Sequence, residues 1–298
     1  MNSSAERVSV IIPLYNRKDY IEQTIRSVLN QTFSDWKLYI VDDGSTDGSR
    51  DVLTQFDDPR IVIIQHPGGV NKGQSASINL ALANVGGEFI SILDSDDYWE
   101  SDKLAIQVSY LDANPDVGLV YCNGFAVDSN GNYLYTRYDD SHVETQKPES
   151  VLLDCYLYIP TNSMFRSSCL SKIGFFDETL RAAQDHDFAI RLAEVTKFGY
   201  VDKKVFSYRR HPNSISHMNA DRRWRNGFVI LKNAVERYPY PGNVIRKRKA
   251  VLYFRLAQCE LEMGRYLSAL KYLALSGIND PGRAISVLRA REKISSPH

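Results

Sequence analysis

No run of this sequence approaches the roughly 20 consecutive apolar residues that a membrane-spanning helix needs. Net charge of either sign is also missing: Lys+Arg and Asp+Glu stand at 36 each over 298 residues. That balance removes any global electrostatic argument for nucleic-acid binding. Cysteine is scarce. Cys122, Cys155, Cys169 and Cys259 are scattered, without metal-ligand spacing or a disulfide framework, and read as small core residues in a reducing compartment. The first residues, Met-Asn-Ser-Ser-Ala-Glu-Arg, lack the apolar centre of a signal peptide. The expected location is cytoplasmic, with the membrane surface as the only other candidate. The remaining composition is that of an ordinary globular chain, 43% hydrophobic and 24% charged. Its length suits one large domain or a large and a small one.

Strands and helices alternate from the start. Val8–Leu14 reads as a strand, and a helix over about 18–30 carries Ile21, Ile25, Val28 and Leu29 at helical spacing. Strand 37–41, helix 48–56, strand 61–65, helix 74–85 and strand 88–93 extend the alternation. Such a run implies a parallel, doubly wound α/β sheet with right-handed crossovers. After a helix over 101–114 the texture changes. Residues 117–127 and 133–138 read as strands joined by Asp-Ser-Asn-Gly, a turn sequence. Residues 139–150 read as a polar loop, 159–165 as a strand, 185–195 as a helix and 199–208 as a strand.

From about 218 the pattern is helical, with two amphipathic helices over 251–276 hinged at Gly264. Tyr253, Ala257, Gly264, Ala269 and Tyr272 loosely match one tetratricopeptide helix–turn–helix, and a single copy has no neighbours to bury its faces. The expected division is a domain over 1–217, with halves of about 1–98 and 99–217, and a C-terminal helical appendage over 218–298. Arg222-Arg223-Trp224-Arg225 and Arg246-Lys247-Arg248-Lys249 are basic clusters beside apolar residues. They read as solvated helix faces or as contacts to an anionic membrane surface.

Polar chemistry concentrates where strands end. Residues 90–99, Ile-Ser-Ile-Leu-Asp-Ser-Asp-Asp-Tyr-Trp, carry a buried strand into three carboxylates, Asp94, Asp96 and Asp97. Like charges this close repel unless a cation sits among them, and oxygen ligands suit Mg2+ or Mn2+ bridging to phosphates. Open α/β sheets bind ligands beyond the carboxyl ends of their strands. The motif is therefore a candidate metal–diphosphate site, the alternative being a solvated acidic turn. A second strand runs into Val-Asp-Asp-Gly-Ser-Thr-Asp at 41–47, and the first ends in Pro13-Leu14-Tyr15-Asn16.

Pro-x-Tyr-Asn, Val-Asp-Asp-Gly-Ser-x-Asp and Asp-x-Asp, in this order within about residues 7–217, resemble family 2 glycosyltransferases of the GT-A fold. The resemblance implies a GT-A-like, doubly wound, mostly parallel sheet. It implies a nucleoside-diphosphate-sugar donor, a UDP-sugar by preference, and inverting transfer to a hydroxyl of a glycan, lipid-linked or other acceptor. On the same resemblance Asp96 is the ligand of Mn2+ or Mg2+ and His211, in Arg209-Arg210-His211, a further ligand. Asp94 and Ser95 fall on the donor's ribose or sugar. Pro13, Tyr15 and Asn16 line the nucleoside pocket, and Asp43 accepts a uracil ring N–H. Asp42 and Asp47 brace the turn and the helix start, and Asp97 is an extra acid read as a helix cap. The family commonly carries Ala-Arg-Asn where this chain has Ile78 before Asn79, so Lys72 becomes the candidate diphosphate contact.

The family's catalytic base maps to Asp185 in Gln-Asp-His-Asp-Phe, 184–188. A carboxylate partly desolvated near other acids has its pKa raised towards a useful value. Asp187 is the structural alternative and His186 a second candidate base. Trp99, Thr161 and Asn162 are acceptor-side candidates, Trp99 as a face for a sugar ring. Ser214 and Ser216 read as part of a loop closing over the donor, with His217 as a substitute for His211. Two other classes compete. A sugar nucleotidyltransferase needs a glycine-rich basic loop after the first strand, and Pro-Leu-Tyr-Asn-Arg-Lys has no glycine. A nucleotide-sugar-binding scaffold without turnover has no need of Asp43, Asp94, Asp96 and Asp185 together.

Overall fold

The computed structural model describes residues 6–154, 156–157, 159–212, 214 and 220–283; Cys155, Ser216 and His217 lie outside them. The chain divides into two compact units, one of residues 1–146, 156–179 and 184–211, the other of 147–155, 180–183 and 212–298.

The first unit holds a nine-stranded sheet. Its strands are Val8–Leu14 (β1), Trp36–Asp42 (β2), Ile61–Gln65 (β3), Phe89–Ile92 (β4), Tyr98–Trp99 (β5), Val117–Val127 (β6), Tyr133–Thr136 (β7), Ser163–Arg166 (β8) and Lys197–Arg209 (β9). The order is β3-β2-β1-β4-β8-β6-β9-β5, with β7 paired to β6. All seven residues of β1 are buried, as in a strand covered on both faces rather than one. Strands β3, β2, β1 and β4 are mutually parallel. Helices Ile21–Leu29 (α1), Ser49–Leu53 (α2) and Gln74–Leu82 (α3) occupy the intervals between them. Helix α1 starts later than its periodicity suggests because Tyr20 and Ile21 donate to the Arg17 carbonyl in a tight turn.

Beyond β4 the strand directions mix. Strand β8 is antiparallel to both β4 and β6, β9 is parallel to β6, and β5 is antiparallel to β9. An antiparallel neighbour needs no crossover helix, so it leaves no βαβ signature to read. Helices Lys103–Ala113 (α4), Leu170–Ile173 (α6) and Gln184–Ala193 (α7) belong to the same unit, whereas Pro148–Leu153 (α5) falls in the second. The loop expected over 139–150 runs into α5, which opens on Pro148, a first-turn position where the missing N–H has no intrahelical partner to lose.

The second unit contains Ala220–Arg237 (α8), Gly242–Glu262 (α9) and Tyr266–Asn279 (α10). Gly264 turns α9 into α10 at φ +70°, a left-handed geometry glycine adopts without Cβ strain. Ala257 and Ala269 are fully buried, Tyr253 stacks on Tyr272 at 6.1 Å, and Ser276 Oγ donates to the Ala250 carbonyl at 2.8 Å. Among the described residues no helix is long and apolar enough to cross a membrane.

Candidate functional site

Register brings three strand ends to one edge: Leu14 of β1 pairs with Asp42 of β2, and Ile11 pairs with Ile92 of β4. Just past β1, Asn16 takes φ +51°, a left-handed conformation asparagine tolerates. Its N–H donates to Ser45 Oγ at 3.1 Å, and its Oδ1 accepts the Thr46 N–H at 2.8 Å. The turn after β2 is thereby tied to the end of β1. Ser45 N–H donates to Asp42 Oδ1 at 3.0 Å, and Lys18 and Ser49 N–H groups donate to Asp47 at 3.0 and 2.8 Å. Both acids brace the backbone as expected.

Asp43 is buried and holds the loop between β3 and α3. Its Oδ1 accepts the Lys72 N–H at 2.6 Å and its Oδ2 the Gly73 N–H at 2.8 Å. Neighbouring Gly44 has φ +77°, and a Cβ there would lie 2.6 Å from the Gly69 carbonyl, so a side chain would push the loop away. Two backbone donors leave a carboxylate with lone pairs to spare, so Asp43 keeps the capacity to accept a ring N–H. Tyr15 is exposed beside Asn16, Pro13 is buried inside β1, and Lys72 is exposed on the anchored loop.

The three acids after β4 have different partners. Asp94 Oδ1 accepts from Gln74 Nε2 at 2.6 Å, and Gln74 Oε1 accepts from Gln184 Nε2 at 2.6 Å. This relay links β4, α3 and α7. Burial, then Asp96, then Asp185 push the Asp94 carboxyl up to about 8; Asp185 is thus within electrostatic reach of Asp94. Asp96 Oδ2 accepts from Arg17 Nε at 2.8 Å and lies 2.9 Å from His211 Nε2, 115 residues away in sequence. Burial works against its charge, yet His211 and Arg17 outweigh that and hold it below the ordinary carboxylate range. Burial, with Asp96 and Asp94 adding, raises Asp97 well above that range. Asp97 caps no helix; it accepts from Thr161 Oγ1 at 2.6 Å and from the Arg209 N–H at 2.8 Å. Ser95 is buried, and its carbonyl accepts from Thr24 Oγ1 at 3.2 Å.

The Asp96–His211 separation is close to the ~3.0 Å between neighbouring ligands of an octahedral ion with bonds of about 2.1 Å. The carboxylate oxygen suits Mn2+ or Mg2+, and the imidazole favours Mn2+, the less hard of the two. Among the described residues no group of three or more acidic, His or Cys side chains could hold an ion. The pair fits an ion completed by diphosphate oxygens and water, the usual manner for Mg2+.

Three acceptor-side candidates are occupied elsewhere. Trp99 is 3% exposed, its indole N–H donates to the Thr161 carbonyl at 2.8 Å, and Lys103 Nζ lies 3.8 Å from the ring centroid. Its ring is core, not a free face for a sugar. Thr161 braces Asp97, and fully buried Asn162 donates from Nδ2 to Tyr138 Oη at 3.0 Å. Asp187 is buried against Arg191, whose Nε donates to it at 2.9 Å, and is structural. His186 is 4% exposed. Asn79 donates to and accepts from the Phe176 backbone at 2.9 Å and so fixes the fold rather than a phosphate.

Sequence reasoning missed Arg17, Gln74, Gln184 and Arg209 as parts of the site. Arg209 Nε donates to the Asp96 carbonyl at 2.9 Å and its Nη1 to the Ser129 carbonyl at 3.0 Å. Arg17 and Arg209 had a signal, as cations beside the Pro-x-Tyr-Asn strand end and in Arg209-Arg210-His211; glutamines carry no charge pattern to read.

A sequence model described as "Glycosyl transferase family 2" matches residues 9–174. A chondroitin synthase from Pasteurella multocida is 28% identical over 232 residues, covering 77% of this chain and 23% of the synthase. The chain also spans only 33% of a matching Escherichia coli chondroitin synthase. Among solved structures, S. aureus TarS 1–349 in complex with UDP-GlcNAc aligns with TM-score 0.66 and 18% identity, over 98% of this chain and 93% of that one. The mannosyltransferase PcManGT from Pyrobaculum calidifontis, with GDP-Man and Mn2+, aligns with TM-score 0.63 and 19% identity, over 97% and 80%. These likenesses show a shared GT-A fold.

Proposed function

The chain belongs to glycosyl transferase family 2, and from that premise we propose that it is a metal-dependent inverting glycosyltransferase that moves a sugar from a UDP-sugar to an acceptor hydroxyl. One observation carries the reading: Asp96 and His211, 115 residues apart, meet at 2.9 Å beyond β4, with Asp185 near enough to bias Asp94. Asp96 and His211 are the residues that would hold Mn2+ or Mg2+, and the bound ion would neutralise charge developing on the leaving diphosphate. PcManGT is described with Mn2+, which supports that assignment.

Tyr15, Asn16 and Asp43 address the nucleoside, and the loop anchored on Asp43 brings Lys72 beside the phosphates. Asp94, held by Gln74, meets the sugar or ribose hydroxyls. Asp185 takes the proton of the acceptor hydroxyl as its oxygen attacks the anomeric carbon. The bond to the diphosphate breaks in the same displacement, its electron pair leaving with UDP, and configuration inverts. TarS with UDP-GlcNAc favours uridine; the GDP-Man complex of PcManGT makes guanosine the comparison to run. The test is slow hydrolysis and transfer of a panel of UDP- and GDP-sugars with and without Mn2+, followed by nucleotide release. Metal-dependent release of UDP supports the reading; preferential release of GDP removes the uridine assignment, and no release from any donor removes the enzyme.

A further inference from the structure

The second unit leaves one helix face without a protein partner among the described residues. Helix α10 buries Ala269 and Ser276 towards α9. On its other side Leu267, Leu270, Ala274 and Ile278 follow at spacings that share a face, and all four are exposed, Leu267 at 85% and Ile278 at 73%. Tyr266 and Met263 extend the patch at its N-terminal end and are exposed too. Scattered surface leucines need no explanation, but a contiguous stripe of this kind marks an interaction surface.

Charge identifies the occupant. Over residues 220–283 there are thirteen Lys and Arg against five Asp and Glu, in a chain whose net charge is zero. Four of the five acids are engaged locally: Asp221 and Glu260 with Arg225 at 2.9 and 3.3 Å, Glu236 with Lys232 at 3.9 Å, and Asp280 with the Arg283 N–H at 3.0 Å. Arg246, Lys247 and Lys249 are exposed on α9, and Lys271 and Arg265 flank the stripe itself. Because α9 and α10 run antiparallel about Gly264, the α9 cluster lies by the Ile278 end of the stripe, where Ser276 bonds Ala250.

We propose that α10 lies in the surface of an anionic lipid bilayer, its apolar stripe at the acyl boundary and the basic residues among the headgroups. A soluble polyanion satisfies the charge and leaves the stripe in water. A second copy covers the stripe but sets like charges against each other. An anionic bilayer satisfies both, with the stripe of α10 at the acyl boundary and Lys271 and the α9 cations at the headgroups.

The full chain is sedimented with vesicles of pure phosphatidylcholine and of phosphatidylcholine with about one-third phosphatidylglycerol. Binding to the anionic vesicles only is expected, weakened by high salt. Leu267→Ser and Leu270→Ser should each lower partitioning about tenfold, and Lys247→Gln and Lys249→Gln about fivefold each. These positions are exposed, so unchanged thermal midpoints check that the variants fold. A Tyr266→Trp variant should shift its emission to the blue with anionic vesicles. The proposal is overturned by equal pelleting with both vesicle types, by partitioning that ignores the leucine changes, by an unshifted emission from the Tyr266→Trp variant, or by a dimer that the leucine changes dissociate.

Discussion

Asp185 and Asp187 lie in the first turn of the same helix, and changing each to Asn should fail in opposite ways. The Asp187 side chain is 5% exposed and that of Arg191 10%. Arg191 gives Nε to Asp187 at 2.9 Å, while its Nη1 donates to the Ile173 and Phe175 carbonyls at 2.6 and 2.9 Å. In Asp187→Asn those carbonyls still hold the guanidinium in place, so its charge stays buried without its counter-ion. Breaking a buried pair in this way costs about 3–5 kcal/mol. Asn keeps one acceptor, which favours the lower end, and at about 2 °C per kcal/mol for a large domain the midpoint falls by about 6 °C. Asp185→Asn should leave UDP affinity unchanged, while turnover falls by ~10²–10⁴ for want of a base. Urea denaturation, calorimetric UDP binding and release of UDP from a donor that the wild type turns over separate the two. A fully stable Asp187→Asn without turnover, beside an active Asp185→Asn, refutes the base assignment.

Three further outcomes follow from the site and its support. Mn2+ should raise UDP affinity at least tenfold in the wild type and not in Asp96→Asn, measured by calorimetry; equal affinities with and without the ion in the wild type remove the metal from the site. Asp43→Ala strands the Lys72 and Gly73 N–H groups and should weaken every uridine ligand by roughly 1–3 kcal/mol whatever its sugar; a loss confined to one sugar donor contradicts this. Burial lowers the fully buried Lys103 from 10.5 to about 7, so between these values the unfolded chain holds a proton the folded one lacks. Stability should therefore rise from about pH 7 towards 10.5 and show no Lys103 contribution to the slope below 7; Lys103→Met should flatten that rise in pH-dependent urea midpoints, and an unchanged profile refutes it.

Much of this arrangement is readable before folding. The β1–β4 half is legible because parallel buried strands and their crossover helices each leave a long periodic signature, and because chemistry gathers at their carboxyl ends. Asp96 and His211 were matched only through the family pattern, since nothing local to either residue predicts a partner 115 positions away. The acceptor side is illegible for the opposite reason: Trp99 is a large aromatic beside the acids, and only the packing of Lys103 on its ring and its bond to Thr161 reveal it as core. The Gln184–Gln74–Asp94 relay could not be seen, because uncharged amides 110 residues apart give no pattern.

The Asp-x-Asp-Asp motif is also poorer in charge than its spelling. Burial and mutual repulsion push Asp94 and Asp97 towards their neutral forms, while His211 and Arg17 favour the charged form of Asp96, and Arg17 already shares that charge. Affinity for hard cations scales with the charge its ligands supply. On the proposed function Asp96 and His211 would hold an ion weakly by themselves, since no third acidic, His or Cys side chain joins them among the described residues, and more tightly beside a bound nucleotide diphosphate. Each ligand must then tighten the other by the same factor. A brief chelator wash should strip the protein of metal without touching the fold, and added nucleotide should restore its hold on Mn2+ at once.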